Sequence, residues 1–106
     1  MNNLYYKQKL NKLIEKLFVN ENNARERLIE NEELIFTIFL ASKSDDIDID
    51  TQKNWQKLWD DLNIKNEIRL AENRVISSFK NTILSKRNKT ISKYLELIFE
   101  EYSKII

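Results

Sequence analysis

Residues 34–41 read LIFTIFLA, and whether this nearly apolar run is a buried strand or the inner end of a helix decides the fold. The run alone fits either, because eight residues of which only Thr37 is polar carry no distinguishing period. Its surroundings separate the two. The chain of 106 residues contains neither glycine nor proline, on which tight turns between strands chiefly depend. Helices manage without them, beginning on Asn, Asp, Ser or Thr and ending on Asn. The stretch leading into the run, from Asn22 or Asn23 through Leu28, is charged. One helix is therefore expected from there to about Ser42, with LIFTIFLA at the centre of the core. The run is also far too short for a bilayer, which takes about twenty residues in helical form.

Upstream, Tyr6, Leu10, Leu13, Ile14, Leu17 and Phe18 recur at three- and four-residue steps, which predicts a helix from about Leu4 to Val19 before NENN breaks the pattern. Downstream, Trp55, Leu58, Trp59 and Leu62 predict an amphipathic helix starting near Asp50 or Thr51. Ile64, Ile68, Ala71, Val75, Phe79 and Ile83 prolong that stripe. Either one long rod bent near Asn63 or two helices with a tight joint would satisfy it. A last helix, capped by Asn88 or Thr90, carries Ile91, Tyr94, Leu95, Ile98, Phe99, Tyr102 and Ile105. The expected fold is all-α: a compact single-domain bundle of four to five helices over residues 1–106, without internal repeats.

Composition narrows the chemistry. There is no cysteine, which excludes disulfides and thiolate metal sites, and no histidine, the commonest general base and transition-metal ligand near neutral pH. Asn, Ile and Lys make up 40 of the 106 residues, the mark of an AT-rich coding sequence, so their abundance is not by itself a functional signal. The first residues interleave lysines with apolar side chains and show no signal-peptide core. A cytoplasmic protein with no membrane association is expected.

SKSDDIDIDTQKNW, residues 42–55, holds four of the six aspartates, and Asp60 and Asp61 follow. DIDID spaces carboxylates like the first, third and fifth positions of a calcium loop. That loop's sixth position would be Thr51 where glycine is required, and its twelfth Lys57 where a bidentate glutamate is required. Glu26, Glu30 and Glu33 share a helix face, yet no Glu-x-x-His pair or second acidic helix accompanies them. No metal and no cofactor is expected. Serines lack a histidine base, no glycine-rich phosphate loop exists, and residues 65–89 lack the permissive turn of a helix-turn-helix reader. The chain is not expected to be an enzyme.

Charge is segregated. Residues 44–61 set six aspartates against Lys53 and Lys57, whereas 73–95 carry Arg74, Lys80, Lys86, Arg87, Lys89 and Lys93 with no acid. The bland account of the acids is a solvated loop ending at a helix N-terminus, where the peptide dipole favours negative charge, with Ile47 and Ile49 tucked inward. The functional account is a surface for a basic protein, presented by Asp45, Asp46, Asp48, Asp50, Asp60 and Asp61 with Trp55 as apolar anchor. A small, cofactor-free helical chain of this kind is similar in class, though not in sequence, to bacterial and phage inhibitors: immunity proteins, antitoxins, and anti-CRISPR-like blockers of nuclease defence. The expected partner is therefore a basic protein, a toxin or nuclease, blocked by occlusion of its nucleic-acid groove. The alternative is a nucleic-acid-binding accessory subunit that uses Arg74, Lys80, Lys86, Arg87, Lys89 and Lys93. A third possibility, a self-associating homo-oligomer, needs neither pole for a foreign ligand.

Overall fold

The computed structural model describes residues 3–19 and 23–106. Six helices and one short hairpin follow in the order α1 (Leu4–Phe18), α2 (Ala24–Glu30), α3 (Glu32–Ala41), α4 (Ile49–Leu62), β1 (Ile68–Arg69), β2 (Val75–Ile76), α5 (Ser78–Ser85) and α6 (Asn88–Ser103). The fold is all-α as expected, with more helices than the pattern indicated.

One extra helix arises at Asn31. Its side-chain amide donates to the Arg27 carbonyl at 2.7 Å, so its own N–H turns to Leu28 instead. This back-bonding side chain interrupts the helix for one residue before Ile35 N–H bonds the Asn31 carbonyl and the helical ladder resumes. The expected single helix over LIFTIFLA is thus two, α2 and α3. The start expected at Asn22 lies outside the described residues; Asn23 caps α2 by accepting from Glu26 N–H at 2.9 Å.

The stripe beyond Asn63 is neither a long rod nor a tight joint. Residues 63–77 leave the helix and form a hairpin in which Ile68 pairs with Ile76 and Arg69 with Val75, antiparallel. Polar side chains of α5 supply what helical hydrogen bonds would have supplied. The Ser78 hydroxyl donates to the Asn63 carbonyl, Asn81 donates to the Asn66 carbonyl, and the Thr82 hydroxyl accepts from Lys65 N–H. Ser77 then caps α5. The turn is made without glycine: Glu72 and Asn73 both take left-handed backbone, at φ 64° and 62°. Ile64, Ile68 and Val75, spaced as if for a core, are consequently exposed.

The core is one cluster. Helix α1 contributes Tyr6, Leu10, Leu13 and Leu17, α3 contributes Ile35, Ile38 and Phe39, and α6 contributes Ile91, Tyr94 and Ile98. Helix α1 packs on α2, α3 and α6, while α4 packs on α3 and α5. Contacts from Phe18 to Phe99 and from Asn11 to Tyr102 run α1 and α6 antiparallel, so that the N-terminus of α1 lies beside the C-terminus of α6. The start of α4 meets them there. LIFTIFLA is only half core: Phe36 and Leu40 face outward, and Phe36 lies against Trp59, which also stacks on Phe39. No helix among the described residues is long and apolar enough to cross a membrane.

Candidate functional site

The acidic segment, residues 42–50, runs from the end of α3 through the loop to the first two residues of α4 and is built by its own short-range hydrogen bonds. Ile47 N–H bonds the Ser44 carbonyl, and the Gln52 amide reaches back to the carbonyls of both Ser44 and Ile47 at 3.0 Å. Asp48 is the N-cap of α4, accepting from Thr51 N–H at 2.8 Å and from the Thr51 hydroxyl at 3.0 Å. Those two bonds hold its carboxyl below the ordinary aspartate value. Asp46 accepts from Ser44 and from Asn3, at the head of α1, and these bonds lower its pKa likewise, the Ser44 bond most. The alternating Asp and Ile residues therefore form an ordered segment in which the carboxylates of Asp46 and Asp48 are held by hydrogen bonds. Asp45, Asp48 and Asp50 are exposed, and so is Ile49, expected to be tucked inward; Ile47 alone packs against the core.

Next to this loop lies a cavity of about 150 Å³ between α1, the loop and the end of α6, with Tyr6, Asp46, Asp48, Glu101 and Lys104 among its walls. Glu101 is only 6% exposed. Its Oε2 accepts from Lys104 at 2.7 Å and from Asn54 at 3.3 Å, while its Oε1 is buried without a hydrogen-bond partner among the described residues. Asp46 Oδ2 is in the same condition. The Glu101 bond raises the Lys104 ammonium pKa. Burial pushes the Tyr6 phenol up to about 12, with Glu101 and Asp48 adding to it and the Trp55 hydrogen bond opposing.

The six aspartates do not form one surface. Asp60 and Asp61 sit at the far end of α4, roughly 18 Å from Asp48 by helical rise, with exposed Lys53 and Lys57 between. Asp60 accepts from Gln56, and Asp61 is half-buried and helps to raise the Tyr94 phenol pKa after burial itself. Trp55 corrects the expectation of a surface anchor. It is fully buried and donates its indole N–H to Tyr6, so it is core and not a contact offered to a partner. The exposed apolar residue among these acids is Ile49, the first residue of α4, at 60%.

The basic residues also divide. Lys86, Arg87, Lys89 and Lys93 gather where α5 turns into α6, whereas Arg74 lies in the hairpin and Lys80 on the exposed side of α5. Arg25 of α2, not singled out by the sequence, closes that corner by donating to the Ile83 carbonyl and to Asn88. Acidic and basic poles lie at opposite ends of α6, about 22 Å apart by helical rise, and neither of the ion pairs Arg69–Glu67 and Lys104–Glu101 joins them.

Glu101 belongs to no sequence motif, yet the sequence carries a signal for it. Tyr94, Ile98, Glu101 and Ile105 fall at i, i+4, i+7 and i+11, so a carboxylate occupies a stripe position that ordinarily takes an apolar side chain. No group of three or more acidic side chains among the described residues is arranged to hold a metal ion. The arrangement can accept hydrogen bonds from a cationic donor larger than a metal ion. The fold and this site define an all-α bundle with a preorganised acidic end. No family model matches the chain, and no curated protein or solved structure matches it either.

Proposed function

We propose that the protein is a non-catalytic, protein-binding inhibitor of the bacterial or phage type, which docks its acidic end on a basic partner such as a toxin or nuclease and occludes the groove meant for nucleic acid. The observation that carries this is the ordered loop: Asp45, Asp48 and Asp50 are exposed on a backbone held by Gln52, Thr51 and Ser44. Carboxylates carried on an ordered backbone lose less ordering entropy on association than those of a disordered loop, and they steer a basic surface from a distance. Ile49, between two of these acids, supplies the apolar contact that Trp55 does not.

The test is affinity capture from native lysate at about 150 mM salt, comparing wild type with Asp45→Asn/Asp50→Asn. These positions avoid the cap Asp48 and the hydrogen-bonded Asp46, so the fold is spared. The expected result is a basic protein that, once purified, binds the wild type directly and the variant at least tenfold more weakly, with affinity falling as salt rises. Recovery by both forms of nuclease-sensitive nucleic acid, in place of such a protein, would move the function to Lys86, Arg87, Lys89 and Lys93.

A further inference from the structure

The cavity beside the loop has a chemical preference of its own. Its walls carry the carboxylates of Asp46, Asp48 and Glu101 beside the ammoniums of Lys7 and Lys104. Two of its carboxylate oxygens, Glu101 Oε1 and Asp46 Oδ2, are buried and lack hydrogen-bond partners among the described residues, Glu101 being 94% buried as a residue. A buried carboxylate oxygen left open is costly, and more so in a charged group. A metal ion does not fit, because it needs its oxygens converging on one point within about 2.6 Å, and the acids here ring a space of about 150 Å³ instead.

We infer that this cavity is a receptor for a guanidinium group, presented by an arginine side chain of the partner. A guanidinium carries five N–H donors in a rigid planar fork, so one group can bond oxygens on separate walls at once; an ammonium, a compact point charge, meets them less well. The chain already shows how the site receives a cation: Lys104 enters from α6 and satisfies one oxygen of Glu101, leaving the other buried and without a partner among the described residues. The identity of the donor as a partner's arginine rests on the protein-binding reading above. The pocket itself does not, and it is tested without any partner.

The probe is N-acetyl-L-arginine methylamide, titrated into the intact chain while the indole N–H resonances are followed. The Trp55 indole bonds Tyr6, which lines the cavity, whereas Trp59 lies in the aromatic cluster with Phe36, Phe39 and Phe79 and serves as an internal control. The expected result is a saturable, roughly millimolar shift of the Trp55 signal, weakened at least tenfold by Glu101→Gln, tightened severalfold by Lys104→Met and unchanged by Asp60→Asn. Because Glu101→Gln could perturb the core, Lys104→Met, altering a half-exposed side chain, gives an independent arm. No saturable shift in either wild type or Lys104→Met, or equal binding by Glu101→Gln, overturns the inference. Tighter binding of spermidine than of the arginine derivative overturns the assignment to a partner's arginine and makes a free polyamine the ligand. If the probe fails while the captured protein still depends on Asp45 and Asp50, the inhibitor reading stands without this pocket.

Discussion

The indole N–H of Trp55 reaches the phenol oxygen of Tyr6 at 2.8 Å, linking α4 to α1 through two almost wholly buried side chains. Tyr6→Phe strands the indole N–H, which should lower stability by about 1–3 kcal/mol. Trp55→Ala, which also opens a cavity, should cost about 3–5 kcal/mol. Urea unfolding reads both as a lower midpoint at unchanged slope. A Trp55→Ala loss within about 0.5 kcal/mol, the usual range for surface positions, would restore Trp55 as a surface anchor. The phenol adds an alkaline signature. Its pKa is raised in the folded state, from 10.0 to about 12, so its contribution is complete below the unfolded value and lost as pH climbs from one to the other. Tyr6→Phe should flatten that limb.

Asp48 caps α4 and is acidified by doing so. A carboxyl depressed in the folded state stabilises above its ordinary value of 3.8 and loses that contribution as pH falls through its folded value. Stability should therefore drop on the acid side of about pH 4. Asp48→Asn keeps a competent cap, so it should match wild type near neutrality and show a shallower acid limb. Asp48→Ala should cost about 1 kcal/mol at neutral pH. Thermal unfolding across an acid pH series distinguishes the two variants.

The hairpin turn holds Glu72 in left-handed backbone, where Cβ crowds the following carbonyl oxygen at a cost of about 1–2 kcal/mol. Glu72→Gly should raise stability, by less than that strain because glycine adds freedom to the unfolded chain. Asn73, whose residue type tolerates this conformation, should gain less from the same change. The comparison is between two unfolding midpoints, and a loss at Glu72 would show the turn to be otherwise stabilised.

That turn also explains what the sequence concealed. The 3.6-residue stripe of α1 was legible because Tyr6, Leu10, Leu13 and Leu17 are all core. Ile64, Ile68, Ala71 and Val75 keep the same spacing, but helical spacing is necessary for a helix and not sufficient. Ser77 offers a fresh cap, and Ser78, Asn81 and Thr82 bond the extended backbone of residues 63–66. A hairpin without glycine gives no ordinary turn signal. At the site, the exposed acids of residues 45–50 were legible as a cluster, and α4 begins at Ile49, one or two residues before the start expected at Asp50 or Thr51. The cavity was not legible, because it joins Asn3, Asp46 and Glu101 from distant parts of the chain. Trp55 is core because its face of α4 turns inward to Tyr6, which the aspartates around it in the sequence do not reveal.

Glu101 tests whether the cavity is structural or functional. A carboxylate that is almost buried, with one oxygen bonded by Lys104 and Asn54 and the other open, is a poor way to fill a core position. Replacing such a group with an apolar side chain of similar volume is often neutral or stabilising. Lys104, half-exposed, can return to solvent when its partner is removed. Glu101→Leu should therefore keep or raise the stability of the isolated protein, by about 1 kcal/mol at most, while abolishing the response to the arginine probe. Such an opposition between stability and binding is expected where a residue is kept for a ligand. If instead Glu101→Leu loses more than about 3 kcal/mol, the cost of breaking a needed buried pair, the carboxylate holds α6 to α4 and α1, and the open oxygen is incidental to that structural duty.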